Sequence, residues 1–142
     1  MKKTIICNIP MKKDIEKTVY ISEDASLSVA DRPVCFAINA FLEKCIETED
    51  EIKILLLAKK DEFSFFEENI ECFCDELEIA NKNIGAKIEY KVIDTAFSQE
   101  QRVHEQLMSC IIDEIEPSTN ILADITYGSK DIAIVVFTAL EF

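Results

Sequence analysis

The chain has 142 residues, long enough for one domain, and its 49% apolar content can fill a single core. Fifteen basic residues stand against 28 acidic ones, and the net charge of −13 excludes a broad basic face for long nucleic acid. Two glycines, Gly85 and Gly128, are too few and too far apart for a P-loop or a G-x-G-x-x-G turn.

Four short apolar runs alternate with four stretches of helical period. Residues 4–9 (TIICNI) have strand length and composition and stop at Pro10. The run is too short for a signal peptide, and no small-residue cleavage site follows. Residues 17–29 fit neither period; β-rich TVYIS before polar EDAS predicts a small hairpin inserted ahead of the first helix. That helix is expected over 30–46, with Pro33 in its first turn, where a missing N–H costs nothing. Residues 52–58 (IKILLLA) are almost continuously apolar, as in a strand covered on both faces. A second helix over 64–83 opens on a Ser64/Glu67 capping-box spacing. Its stripe runs through Phe66, Ile70, Phe73, Leu77, Ala80 and Ile84, and Gly85 follows where a left-handed residue ends a helix.

Residues 87–93 (KIEYKVI) alternate, with Lys87, Glu89 and Lys91 on one face and Ile88, Tyr90 and Val92 on the other. One wet face places this strand near a sheet edge. A third helix over 98–116 opens on Ser98/Gln101, carries Val103, Leu107, Met108, Ile111 and Ile115 on one stripe, and stops at Pro117. His104 falls on the surface beside that stripe. Residues 120–126 (NILADIT) make a fourth strand, and a further helix starts near 129. The βαβαβαβα succession predicts an α/β, Rossmann-like, mainly parallel sheet with helices on both faces. Order 3-2-1-4 puts the half-wet strand at an edge. Strands 1 and 4 then lie side by side where the winding reverses, the place where open α/β sheets bind ligands.

Six cysteines, at 7, 35, 45, 72, 74 and 110, form no C-x-x-C pair, and the chain has a single histidine. The spacing argues against a zinc site, and no metal or cofactor is expected. Most of these cysteines lie in apolar runs, where a reduced thiol acts as a small hydrophobe. That composition suits a reducing cytoplasm. No stretch approaches the ~20 apolar residues of a membrane span, so no membrane partner is expected.

Two loops meet at the predicted reversal. The first is Asn8, Ile9, Pro10, Met11, Lys12 and Lys13; the second is Thr126, Tyr127, Gly128, Ser129, Lys130 and Asp131. The second offers two hydroxyls, a glycine, an aromatic ring, a lysine and a helix start, where backbone N–H groups favour anions. Ser129 fits a plain N-cap equally well. Asp124 fits an orienting carboxylate or a strand-end residue bonded to a loop. Residues 1–20 hold five lysines against two acids, whereas residues 43–83 hold thirteen acids against five lysines. The acid therefore concentrates on the middle elements.

The stretch Asp124-Ile125-Thr126-Tyr127-Gly128-Ser129-Lys130 resembles the Asp-Ile-Thr-His-Gly-Phe-Arg motif of CARF (CRISPR-associated Rossmann fold) proteins from type III CRISPR systems. Upstream, Tyr20, an acidic turn and Ala30-Asp31-Arg32 leading into Phe36-Ala37 and Ala40-Phe41-Leu42 look like the same family's insertion before its first helix. The motif's Phe and Arg are Ser129 and Lys130 here, and the family's following proline is Ala133. Lysine contacts phosphate as a point charge, without the arginine fork.

The resemblance implies a sensor of cyclic oligoadenylates, most readily the tetra- or hexa-adenylate, bound across the axis of a homodimer to regulate an effector in antiviral defence. Carried over by position, Asp124, Thr126, Tyr127, Gly128, Ser129 and Lys130 line the ligand, and Asn8, Ile9, Pro10 and Met11 frame an adenine. An alternative within the family is a metal-independent ring nuclease, in which a ribose 2′-OH attacks the adjacent phosphate. Ser129 and Lys130 are its catalytic candidates. A structural dimerisation module with a degenerate site is a further reading. A phosphoacceptor receiver domain is disfavoured, because it needs an acidic pair after strand 1 and no acid occurs there before Asp14. Residues 1–142 are expected to form one ligand-sensing domain. The end of the chain within the fourth helix suggests a longer protein, or a dimer that covers the edge of strand 4.

Overall fold

The computed structural model describes all residues except 14, 22–27, 59–64, 95–100, 118, 125–129 and 141–142, and the side chains of 101–104, 130–133 and 137. Its elements are β1 (Lys2–Asn8), α1 (Ala37–Cys45), β2 (Glu51–Ala58), α2 (Phe66–Asn81), β3 (Lys87–Asp94), α3 (Gln101–Glu114), β4 (Asn120–Asp124) and α4 (Lys130–Leu140). The sheet is parallel throughout, in the order β3-β2-β1-β4. Rossmann-like α/β architecture is what the alternating periods predict.

Alternate residues of the central strands face two separate cores. Ile5, Cys7 and Ile9, with Ile54, Leu56 and Ala58, meet α1 and α2 through Phe36, Ile38, Leu42, Phe73 and Leu77. Ile6, Leu55 and Leu57 meet α3 and α4 through Leu107, Ile111, Val135, Val136 and Ala139. Parallel crossovers are right-handed, so reversing the winding after β3 carries the next helices to the opposite face. Phe36 and Phe73, both fully buried, meet edge to face with centroids 5.1 Å apart. On β3, Lys87, Glu89 and Lys91 are exposed, as their alternation predicts, and Lys91 pairs with Glu114 of α3. Gly85 takes φ +78° after α2, the left-handed conformation expected of it.

Two helix starts differ from expectation. The first helix begins at Ala37, not 30, and Pro33 precedes it. Residues 30–36 are committed elsewhere. Val34 exchanges N–H···O bonds with Thr18 (3.0 and 2.9 Å) in an antiparallel bridge, and Ala30 N–H donates to the Ala40 carbonyl at 2.9 Å. Proline also disfavours helical backbone at the residue before it. The hairpin expected within 17–29 falls partly outside the described residues; among the described ones Thr18 pairs instead with Val34, beyond that span. The second helix begins at Phe66 with Phe65 at its N-cap position, two residues later than expected. Glu67 and Glu68 in the first turn complement the helix dipole. Ser64 and Ser98 themselves lie outside the described residues.

Asp50, 3% exposed, ties the N-terminal ends of the strands. Its carboxylate accepts from Lys3 Nζ (2.7 Å) and Glu47 N–H (2.9 Å), and its carbonyl accepts from Lys87 N–H (3.2 Å). Burial pushes the carboxyl up, but the Lys3 and Glu47 donors outweigh it and hold the group below the ordinary 3.8. A depressed carboxylate contributes stability that is present above its unfolded value and lost as pH falls through the folded one. Asp50→Asn should cost about 2 kcal/mol at neutral pH and flatten the acid limb of the stability profile. Urea unfolding across that range checks this; a variant keeping the wild-type acid limb overturns it.

Candidate functional site

β1 and β4 pair directly, with Cys7 opposite Asp124, so the chain leaves both strands at the same end of the sheet. Asn8 and Ile9 are each 4% exposed, Pro10 is buried, and Met11 and Asp124 are half-buried. Ile9 still belongs to the ladder, its N–H donating to the Leu57 carbonyl at 2.8 Å. Asn8, Ile9 and Pro10 therefore form the floor at this end, and Met11 alone of the four is partly exposed. Burial, then the nearby Asp124 charge, raises the Cys7 thiol well above its ordinary value. Cys7 is consequently a core thiol. Lys130 is the first residue of α4; its side chain, that of His104, and all of Thr126, Tyr127, Gly128 and Ser129 lie outside the described residues.

The loop after β1 is held by α2. Phe65 N–H donates to the Met11 carbonyl at 3.0 Å, and Asn69 Nδ2 donates to the carbonyls of Pro10 (2.6 Å) and Lys12 (3.0 Å). Farther along the same helix, Glu76 accepts at Oε2 from Cys35 N–H (2.6 Å), and at Oε1 from Phe36 N–H (3.3 Å) and Asn39 Nδ2 (3.2 Å). These backbone donors lie at the start of α1, where N–H groups lack intrahelical partners. A carboxylate from one helix thus caps the other.

The motif residues upstream serve the same assembly. Tyr20 rests against the small Ala30, Val34 and Ala40 cluster. Arg32 donates from Nε to Glu43 (3.1 Å) and from Nη2 to the Glu76 carbonyl (3.2 Å). Lys12 and Lys13 are exposed, and Lys13 Nζ lies 5.9 Å from the Phe65 ring centre, within cation–π range.

One group on this side of the sheet has metal-ligand character. Cys35, Cys72 and Glu76 place two sulfurs and a carboxylate oxygen within 4.8 Å of one another. Burial, then the neighbouring Cys72, pushes the Cys35 thiol up to about 12. Sequence spacing gave no hint of this cluster, since 37 positions separate the cysteines. The signal for Asn69 and Glu76 was present: both fall on the buried stripe of α2 with Phe73 and Ala80, and polar residues there need partners.

A cavity of about 340 Å³ opens at the opposite, N-terminal end of the strands, beside Lys2, Lys3, Thr4, Lys53, Glu116 and Thr119. Three of its four lysines are engaged in ion pairs: Lys2 with Glu116 (3.0 Å), Lys3 with Asp50 (2.7 Å) and Lys53 with Glu114 (2.7 Å). Ligands of open α/β sheets bind at the other end. Among the described residues no helix is long and apolar enough to cross a membrane. Scans of this chain against protein-family models and against curated proteins found no match.

Asn69→Ala leaves two loop carbonyls without their donor and should cost about 1–3 kcal/mol, with faster amide exchange at Met11 to Lys13. Denaturant titration and hydrogen exchange measure both. Stability within about 0.5 kcal/mol of wild type and unchanged exchange would show that this amide does not hold the loop.

Proposed function

We propose that the chain is a CARF-type sensor domain that binds cyclic oligoadenylate at the C-terminal ends of β1 and β4 and acts as a homodimer in the cytoplasm, regulating an effector in antiviral defence. The observation carrying this reading is the reversal of winding between those strands. It puts the residues that follow β1, Asn8 to Met11, beside Asp124 at the end of β4, and Lys130 opens the next helix. That is the position in which the seven-residue resemblance has chemical meaning. Lys130 at the start of α4 combines a full positive charge with backbone N–H groups that have no intrahelical partner, a setting that favours phosphate.

The dimer reading has its own support. β4 is the terminal strand of the sheet, Ile121 on it is 40% exposed, and Ile134 on α4 is 63% exposed. An apolar edge strand invites pairing or cover, and a second copy supplies it.

Calorimetry with cyclic tetra- and hexa-adenylate tests the sensor. Binding at one ring per two chains is expected, and Lys130→Ala should weaken it by about 10–100-fold, the worth of one charge-assisted hydrogen bond. Absence of heat at tens of micromolar ligand overturns the reading. Incubating labelled ring with protein and EDTA separates the two family activities. An intact ring marks a sensor; an opened ring whose cleavage is lost in Lys130→Ala marks a ring nuclease.

A further inference from the structure

We infer that Cys35, Cys72 and Glu76 form a binding site for a thiophilic divalent cation, zinc or cadmium in character, that clamps the β1–α1 connection to α2. The inference is independent of the nucleotide reading. Cys72 and Glu76 are four apart on α2, which stacks them on one helix face. Cys35 comes from the connection just ahead of α1, so the three donors belong to two separated parts of the chain.

The geometry suits a cation. Zinc–sulfur bonds of ~2.3 Å and zinc–oxygen bonds of ~2.0 Å bring ligand atoms of a tetrahedral site to within ~4 Å of one another. Here the three donor atoms all lie within 4.8 Å, and Cys72 Sγ is 4.0 Å from Glu76 Oε2. Little rearrangement separates this cluster from a coordinated one. Glu76 is also oriented as metal-bound carboxylates are, by hydrogen bonds from behind. Phe36 N–H and Asn39 Nδ2 donate to Oε1 and Cys35 N–H to Oε2, so Oε2 keeps a second lone pair on the side of the Cys72 sulfur for a cation. Cys72 is only half-buried, which gives a route from solvent and leaves the fourth position for water.

Charge balance favours the same occupant. Both thiols lose their protons to solvent as the ion binds, leaving two thiolates and one carboxylate against a charge of +2. Lys17 lies near Cys72 and offsets part of the remaining negative charge. The soft donor pair selects zinc or cadmium over magnesium or calcium, which take oxygen ligands. Bound there, the ion would join Cys35, at the end of the long connection, to the helix whose Asn69 already holds the connection's beginning.

Cadmium titration of the reduced full chain tests the site, because sulfur-to-cadmium charge transfer absorbs in the ultraviolet. Absorbance should rise to one cadmium per chain, and zinc should displace it. Cys72→Ser should weaken binding by about a hundredfold or more, whereas Cys110→Ser, at an exposed position on α3, should leave it unchanged. Glu76→Gln puts the cap of α1 at risk, so the cysteine variants carry the test, with circular dichroism confirming their fold. No charge-transfer band at stoichiometric cadmium overturns the site. So does a wild-type band in folded Cys72→Ser, or equal loss in Cys110→Ser.

Discussion

The structure depends on one polar stripe of α2. Residues 9–36 between β1 and α1 form a connection far longer than the few residues usual in α/β units. Such a segment loses much conformational entropy on ordering, and here α2 supplies the contacts that offset it. Asn69 takes the carbonyls of Pro10 and Lys12, Glu76 takes the amides of Cys35 and Phe36, and Arg32 returns to the Glu76 carbonyl. The start and the end of the connection are therefore fixed to a single rigid element. The loop at the reversal between β1 and β4 inherits that rigidity, since Pro10 to Lys12 are where Asn69 grips.

Glu76 illustrates why such an arrangement is specific as well as stabilising. A carboxylate that is 7% exposed is costly unless its lone pairs are used. The Cys35 and Phe36 N–H groups at the start of α1 meet that demand and also fix where α1 can begin. A helix starting at residue 30 would bury its own first-turn amides, and Glu76 would face the side of a helix with no donors to give. Phe36 and Phe73 then meet on the apolar side of the same contact. Polar and apolar complementarity thus select the same register between α1 and α2.

Much of this fold was legible because two periods alternate cleanly along the chain. IKILLLA could only be a strand covered on both faces, and KIEYKVI only one with a wet side, which together fix the order of β3 and β2. What was not legible came from long-range pairing. Nothing local in Ala30 to Phe36 says that Val34 bonds Thr18, so the local period there predicts helix where the long-range bridge holds extended chain. Cys35 and Cys72 meet only because α1 and α2 share a face, and local spacing carries no trace of that. At the candidate ligand site, the adjacency of the β1 and β4 ends followed from strand order. The burial of Asn8 to Pro10 followed from packing that sequence alone does not show.

Net charge does not describe how charge is distributed over this chain. Glu114, Glu116 and Asp50 pair with lysines at the N-terminal ends of the strands. A strand the length of β1 spans about 20 Å, more than twice the ~8 Å screening length at physiological salt. Those carboxylates therefore have little influence at the other end of the sheet. Glu67 and Glu68 lie nearer, but they occupy the positive end of α2, which compensates part of their charge. Lys12 and Lys13 stand exposed in the loop after β1, and Lys130 opens α4. Asp124 is the opposing carboxylate at the end of β4, so the charge at the reversal is mixed rather than uniformly acidic, and that is compatible with a small anionic ligand there, while a long nucleic acid would meet the acidic surface elsewhere.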